Sequence, residues 1–244
     1  MQNYKTESLG SGIYVAVSDS HTFGTDAVLL AAFAAPGKKD KICDMGTGCG
    51  IIPMIFCKNG AGSQITAVEL QKDAAELAGE SARISNAEDK VTVINGDIRE
   101  IKSLLPHGAF NLVTMNPPYK AADGGIKSKA DSAKIARHET ECVIDDVTKA
   151  AAHLLNFGGR LCLCSRPERL CDTLVSMRSA GIEPKRLRFV SKNSGSTPWL
   201  FLIEGKKGSK PFMKVEKPLF IYNPDGTLSQ EVIDIYGEYK ENHI

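Results

Sequence analysis

The sequence predicts an α/β fold built on a doubly wound, Rossmann-like, mostly parallel sheet with an antiparallel last strand. Short apolar runs alternate with helical stretches from residue 42 to about residue 163, as expected for parallel strands joined by crossover helices. A glycine-rich turn follows the first of these runs, at the sheet edge where such folds bind ligands. The last two apolar runs are joined by a short loop that contains the polar residues 192–196. That loop is too short for a helical crossover, so we expect these two strands to be antiparallel.

Apolar runs locate the predicted strands, and helically spaced apolar residues followed by glycines locate the predicted helices. The predicted parallel strands are Lys41–Met45, Gln64–Glu69, Val91–Asn95, Phe110–Met115 and residues 160–164, and the antiparallel pair is residues 186–191 and 199–204. Helices are predicted over residues 51–59, 73–85, 141–157 and 170–180, and glycines follow three of them. Asn-Pro-Asp-Gly at residues 223–226 predicts a turn. We expect a single domain over residues 1–244, with an N-terminal flap (1–40) that packs on the sheet, a catalytic core (41–205) and a C-terminal extension (206–244).

Composition restricts the class of protein. The chain has 244 residues, 42% of them apolar, which is enough for a proper core. Its net charge of +1 gives no global nucleic-acid signature, so any basic surface must be local. The seven cysteines form no pair of Cys-x-x-Cys motifs, and we expect buried thiols, a reducing compartment and no metal. The sequence contains no apolar signal core and no run near the ~20 apolar residues of a membrane span. We therefore expect a soluble, cytoplasmic protein.

The most informative motif is Asn116-Pro117-Pro118-Tyr119, directly after the strand Phe110–Met115. A planar substrate with an amino group needs acceptors for its N–H bonds and a face on which to stack. The Asn116 side-chain oxygen and the Pro117 carbonyl are suitable acceptors, and Tyr119 is a suitable face. The prolines restrict the backbone, so the acceptors need little reordering. The alternative is a proline-rich turn after a strand, with a tyrosine in the core.

The glycine-rich turn Gly46-Thr47-Gly48-Cys49-Gly50 predicts a nucleotide-like cofactor. Glycines there let backbone N–H groups approach a ligand at the positive end of a helix. The spacing Gly-x-Gly-x-Gly departs from the dinucleotide fingerprint Gly-x-Gly-x-x-Gly, so S-adenosylmethionine competes with a dinucleotide. Glu69, at the end of the next strand, can accept from ribose hydroxyls of either ligand and does not discriminate between them.

Other acidic and apolar positions complete the candidate cofactor set. Asp97 follows the third strand, where its carboxylate can accept from an adenine amino group while Ile98 covers the ring, although such a sequence alone is often only a turn. Leu70, next to Glu69, and Asn116 also belong to this set. Asp44 and Asp26 either face the cofactor's amino group or cap a turn.

The order of these motifs along the strands closely resembles that of class I S-adenosylmethionine-dependent methyltransferases that carry Asn-Pro-Pro-Tyr and methylate planar amino groups. The resemblance covers roughly residues 20–205 and implies a seven-stranded sheet whose last two strands are the antiparallel hairpin. The Gly-Thr-Asp segment at residues 23–30 and Arg137-His138-Glu139 further resemble bacterial tRNA adenine-N6 methyltransferases that modify valine tRNA beside the anticodon. The resemblance therefore implies S-adenosylmethionine as cofactor, tRNA as partner, and methylation of an adenine N6 amino group.

Three alternatives remain open at this point. Glutamine-N5 methylation of a release factor or ribosomal protein uses the same motif, because a side-chain amide is also flat, but those enzymes usually carry a helical domain before the glycine loop. DNA adenine methylation normally needs a target-recognition region of about 80–100 residues. A non-catalytic RNA-binding or assembly factor would retain the fold without S-adenosylmethionine binding.

Local basic clusters predict where RNA binds. The stretch from residue 185 to residue 217 is the densest in lysine and arginine, and the loop after the Asn-Pro-Pro-Tyr motif is also basic. Phosphate neutralisation needs such clusters, although runs of lysine are also common on solvated surfaces. The candidate RNA contacts are Lys127, Lys129, Arg137, His138, Lys206 and Lys207.

Overall fold

The computed structural model describes residues 4–117 and 143–242. Eleven strands occur in these residues: β1 (Lys5–Gly10), β2 (Ile13–Val17), β3 (Lys41–Met45), β4 (Gln64–Glu69), β5 (Val91–Asn95), β6 (Phe110–Met115), β7 (Leu155–Ser165), β8 (Ile182–Ser191), β9 (Pro198–Lys207), β10 (Lys214–Val215) and β11 (Leu219–Phe220). The α-helices in the same residues are α1 (Thr25–Ala34), α2 (Ile51–Lys58), α3 (Lys72–Ile84), α4 (Ile101–Leu104), α5 (Ile144–Leu154), α6 (Leu170–Ser179) and α7 (Gln230–Tyr236).

The main sheet confirms the predicted fold class. Its strand order is β10-β8-β9-β7-β6-β3-β4-β5, and β11 also pairs with β8. Strands β5, β4, β3, β6 and β7 are parallel, whereas β9 is antiparallel to both β7 and β8. These seven strands form the sheet that the family resemblance implied. The short strands β10 and β11, parallel to β8, were not predicted, because a two-residue strand leaves no pattern in a sequence.

Four predicted strands, β3 to β6, are confirmed to the residue. The predicted helix over residues 141–157 was wrong at its C-terminal end, because α5 stops at Leu154 and β7 begins at Leu155. Its first two residues lie outside the described part of the chain. Gly158 and Gly159, which were predicted to end this helix, lie instead within β7. The register with β6 shifts there, and Gly158 has a φ of +79°. A glycine pair marks a bulge as readily as a helix end.

Helices cover both faces of the sheet. Core residues of α1, α2 and α3 pack on one face, and those of α4, α5 and α6 pack on the other. The guanidinium of Arg160, in the middle of β7, pairs with Asp40 just before β3 at 3.7 Å and donates to the carbonyl of Ala34 at the end of α1 over 3.0 Å. Helix α1 therefore runs antiparallel to the parallel strands, and its N-terminus lies at their carboxyl edge.

The two terminal segments pack against each other and against the core. The hairpin β1–β2 is a separate two-stranded sheet, held to α3 by Ser81, whose hydroxyl accepts from the Ala16 N–H over 2.9 Å. The C-terminal extension is tied to β8 by the bidentate pair of Arg188 with Glu231, at 2.6 and 2.7 Å. None of the described helices is both long and apolar enough to cross a membrane.

Candidate active site

The candidate residues converge at the carboxyl edge of the parallel strands. Met45 pairs with Val68 on one side and with Met115 on the other, while Glu69 pairs with Asn95. The segments that follow β3, β4, β5 and β6 therefore leave the sheet side by side. This edge brings together the glycine loop, Glu69, Asp97 and Asn116, as the strand-end rule predicted.

The glycine loop folds back over the end of β4. The N–H groups of Gly46 and Thr47 both donate to the Val68 carbonyl, at 2.8 and 3.1 Å. Gly46 and Gly48 have φ values of +63° and +57°, which favour glycine at both positions. A Cβ atom placed on Gly48 would have no atom within 4 Å. The loop therefore leaves open space directly above its backbone.

Glu69 is the main acceptor of this pocket. Its carboxylate is mostly buried and accepts from the N–H groups of Gly48 and Gln71, at 2.8 and 2.9 Å. An ionised carboxylate has about four lone-pair sites, so two remain for the two hydroxyls of a ribose. Leu70, beside it, is 56% exposed and offers an apolar surface for a flat ring. These residues fit an adenosyl cofactor.

Asp97 makes contacts that the sequence did not suggest. Its carboxylate accepts from the Arg99 N–H over 2.9 Å and forms a multiply bonded ion pair with the Arg99 guanidinium. These bonds hold the pKa of Asp97 below its ordinary value. Ile98 is 7% exposed and packs in the core. An adenine amino group at Asp97 would therefore meet a carboxylate that Arg99 already orients.

Asp44 lies beneath the glycine loop. It is 1% exposed, and its two oxygens accept from the hydroxyls of Thr47 at 2.7 Å and Thr114 at 2.6 Å. These bonds fasten the loop to strand β6. The structure therefore places Asp44 as a support of the loop, with its side-chain oxygens turned to the protein.

Asn116 stands at the end of β6, beside β7. Its side-chain oxygen accepts from the thiol of Cys164 over 3.1 Å. Cys164 is fully buried on the face covered by α1, so the contact orients the amide at the edge of the sheet. Pro117 follows it and is half-buried. Tyr119, Lys127, Lys129, Arg137 and His138 lie outside the described residues.

Comparisons with known proteins agree with this geometry. The family model described as methyltransferase small domain matches residues 17–178. The chain belongs to this methyltransferase family. It is also 32% identical over 219 residues to the tRNA1(Val) (adenine(37)-N6)-methyltransferase of Tolumonas auensis, covering 88% of each chain. The enzyme of the same name from Porphyromonas gingivalis is 32% identical over 184 residues, covering 67% of this chain and 71% of that one.

A solved structure supports the fold of the methyltransferase. A protein from Agrobacterium tumefaciens, described as a predicted O-methyltransferase, matches with a TM-score of 0.70 and 22% identity, over 87% of this chain and 95% of that chain. Family membership confirms the predicted class of enzyme and S-adenosylmethionine as its cofactor. Among the residues described, no group of three or more His, Cys, Asp or Glu side chains is arranged to hold a metal ion.

Two predicted RNA contacts of the methyltransferase lie away from this edge. Strand β9 is antiparallel to β7, so Phe201 pairs with Ser165 at the carboxyl end of β7. Lys206 pairs with Arg160, five residues before that end. The ammonium of Lys207 donates to the carbonyls of Ala152 and Leu155, at 2.6 and 2.8 Å. The structure therefore does not bring Lys206 and Lys207 to the candidate active site, and Lys207 completes the end of α5.

Asp26 lies in the first turn of α1, at the same edge as Asn116. Its carboxylate accepts from the Ala27 N–H over 3.0 Å and is partly exposed. This bond satisfies one of the free N–H groups at the start of the helix. The contact with Ala27 leaves open whether Asp26 also faces the cofactor's amino group, which stays a prediction.

The buried position of Asp44 predicts a pH dependence of stability. Burial raises the pKa of Asp44 from its ordinary value of 3.8 to about 7, although the Thr114 and Thr47 hydroxyls partly oppose the shift. Between these two values the folded state binds a proton that the unfolded state has lost. The free energy of unfolding therefore falls as pH rises from about 4 to 7, by up to about 1.4 kcal/mol per pH unit from this group, and is level above 7.

Urea unfolding of the wild type and of Asp44→Asn between pH 4 and pH 8 measures this contribution. We expect Asp44→Asn to become more stable relative to the wild type as the pH rises across that interval. A constant difference would show that Asp44 does not titrate in this range.

Proposed function

We propose that this methyltransferase transfers the methyl group of S-adenosylmethionine to the exocyclic N6 nitrogen of an adenine in tRNA, beside the anticodon. The position of Asn116 carries the proposal, because it places an amide acceptor at the sheet edge next to an adenosyl-binding loop. The names of the two relatives support adenine in tRNA as the target. A tRNA substrate also agrees with the expected cytoplasmic location.

The reaction depends more on hydrogen-bond acceptors for the N6 amino group than on a general base. The lone pair of the N6 nitrogen is delocalised into the adenine ring, so this nitrogen is a weak nucleophile. Its two N–H groups donate to the Asn116 side-chain oxygen and the Pro117 carbonyl, which favours a tetrahedral nitrogen with its lone pair directed at the methyl group. These bonds strengthen as positive charge develops on nitrogen, which stabilises the transition state selectively. The product cation then loses its proton to solvent.

The cofactor supplies an electrophilic methyl group on a sulfonium when bound. Glu69 would hold its ribose, the open space above Gly48 would admit it, and Leu70 would offer its ring an apolar surface. Asp97, held in place by Arg99, would accept from its adenine amino group. Tyr119 supplies the face on which the substrate adenine stacks, because an adenine must leave its helix or loop stack to present N6.

The names of the relatives favour adenine in tRNA over a protein glutamine as the target. Residues 4–40 form the hairpin β1–β2 and the helix α1, which pack directly on the catalytic core.

Mass spectrometry of nucleosides from total tRNA, with and without the gene, tests the proposal. We expect N6-methyladenosine to be missing from one tRNA in the deletion strain and restored by the wild-type gene, but not by Asn116→Ala. Unchanged tRNA together with an undermethylated protein glutamine would establish the alternative.

Removing Glu69 tests the cofactor site. Glu69→Ala should weaken S-adenosylmethionine binding by about 1–3 kcal/mol, the usual loss for a hydrogen bond to a charged group. Calorimetry measures this affinity, and Glu88→Ala, an exposed acid between α3 and β5, is the matched control. Equal affinities of Glu69→Ala and wild type would remove Glu69 from the site, and tight binding of NAD would restore the dinucleotide alternative.

A further inference from the structure

A cavity of about 450 Å³ opens beside the N-terminus of α1. One wall is Phe23, Gly24 and Thr25, and the other belongs to the C-terminal extension, with Tyr222, Tyr236 and Tyr239 among its residues. We call this cavity the aromatic cleft. Its volume is within the range of about 300–1,000 Å³ that is typical of small-molecule sites. Because α1 begins at the carboxyl edge of the strands, the cleft opens at the same edge as Asn116.

The cleft extends from the glycine loop to the end of β8. Tyr239, on its C-terminal wall, lies near Cys49 of the glycine loop. Tyr222 follows β11, which pairs with the end of β8, and its N–H donates to the Lys192 carbonyl over 2.9 Å. Strand β6, whose end leads into Asn116, lies between β3 and β8 in the sheet. A large substrate that binds at Asn116 can therefore reach the cleft.

The cleft combines aromatic rings with hydroxyl groups. Tyr236 and Tyr239 are nearly parallel, with ring centroids 5.9 Å apart and an interplanar angle of 10°. Phe23 contacts Tyr239 at 5.8 Å and 43°. The Thr25 hydroxyl lies beside the Tyr236 hydroxyl, where its hydrogen bond partly offsets the rise that burial produces in the pKa of Tyr236. Flat rings and hydroxyls together suit a ligand that is planar, aromatic and rich in hydrogen-bonding groups.

Charge around the cleft favours a base over a phosphate. Asp26 lies near Tyr236 of the cleft wall, and the Tyr239 hydroxyl donates to the carboxylate of Glu7 over 3.0 Å. These carboxylates would repel a phosphate placed in the cleft. A nucleobase has no net charge, and its N–H and carbonyl groups can pair with the hydroxyls. Proteins that bind single-stranded RNA hold splayed bases against aromatic side chains in this way.

We propose, resting on the tRNA substrate proposed above, that the aromatic cleft binds an unstacked nucleobase of the same RNA strand, close to the adenine that receives the methyl group. Extrusion of that adenine unstacks its neighbours, so a second base becomes free to enter the cleft. The cleft thereby holds the strand while Asn116 engages the target. The C-terminal extension becomes part of the RNA-binding surface.

Variants of Tyr222 test the proposal, because its ring is half-buried and lines the cleft wall. Anisotropy of a fluorescently labelled, unmodified tRNA transcript measures affinity without turnover. We expect Tyr222→Leu to weaken binding about tenfold, the loss typical of one base–aromatic stack. Tyr222→Phe, which keeps the ring, should bind within about twofold of wild type if stacking accounts for the loss. Tyr14→Leu is the control, since Tyr14 is 37% exposed on β2, outside the cleft.

Two further measurements separate the possible outcomes. The affinity for S-adenosylmethionine reports folding of each variant, and Phe23→Leu on the opposite wall replaces Tyr222→Leu if the latter does not fold. Normal tRNA affinity in the folded Tyr222→Leu or Phe23→Leu protein would overturn the nucleobase site, whatever the enzyme methylates. Ring-dependent binding of the transcript by a wild-type protein that forms no N6-methyladenosine in it would overturn the proposed reaction and retain the nucleobase site.

Discussion

Asn116→Ala should lower the rate of methyl transfer by about 100- to 1,000-fold, as expected when one preorganised polar group that stabilises a transition state is removed. Alanine cannot accept from the N6 amino group, so the nitrogen loses the partner that directs its lone pair. Single-turnover methylation of a tRNA transcript measures this rate. The affinity for S-adenosylmethionine should change by less than about twofold, because Glu69 and the glycine loop hold the cofactor independently.

The same strand offers a matched control. Asn111 lies near the other end of β6, where its side-chain oxygen accepts from the Lys41 N–H over 2.9 Å. Asn111→Ala removes an equivalent amide from β6 but leaves the carboxyl edge untouched, so its single-turnover rate should equal that of the wild type. A near wild-type rate of methylation by Asn116→Ala would contradict the proposed mechanism. An equal loss of rate in both variants would show that the disturbance of β6, and not the missing acceptor, slows the reaction.

Glu204→Ala should lower the free energy of unfolding by about 3 kcal/mol, because it removes the buried carboxylate that two partly buried arginines share. The Glu204 carboxylate accepts from Arg160 at 2.8 Å and from Arg186 at 3.0 Å, and only 9% of its side chain is exposed. Arg186 also lies over the ring of Phe33 at 4.4 Å. Without Glu204, the ion pair that remains to Arg160 among the described residues is its longer one with Asp40 at 3.7 Å. Arg186 keeps its ion pair with Glu216.

Glu216→Ala is the control for this prediction. Glu216 pairs with the same arginine, Arg186, at 2.9 Å but its side chain is 22% exposed. Its removal should cost less than about 1 kcal/mol, as for other ion pairs near solvent. Urea unfolding compares the two variants. Similar losses of unfolding free energy in both variants would mean that the buried ion pairs of Glu204 contribute no more than an ordinary surface ion pair.

The central strands and the location of the site could be predicted from the sequence for a physical reason. Strands buried on both faces of a parallel sheet must be apolar throughout, which makes β3 to β6 visible as short continuous runs. Their carboxyl ends must meet at one edge, so the strand pattern alone predicts that Glu69 and Asn116 lie near each other. Irregular strands lack this property, and the glycines inside β7 were read as a helix end.

The polar contacts of the site could not be predicted, because they depend on which groups lose water. Arg99 is only two residues from Asp97, yet nothing in the sequence distinguishes a bound guanidinium from a solvated one. Lys207 reaches carbonyls 55 and 52 residues away along the chain, and its position in a basic stretch suggested RNA. Nothing in the sequence indicates that the thiol of Cys164 contacts Asn116.

The bond between Tyr239 and Glu7 joins residues 232 positions apart, and this separation orders events during translation. The ribosome makes the glycine loop and Asn116 long before the residues that close the aromatic cleft. The glycine loop, Glu69 and Asn116 all precede residue 117, so a nascent chain can assemble its cofactor pocket while the wall of the aromatic cleft that carries Tyr239 is still absent. We expect the aromatic cleft to be completed after the cofactor pocket.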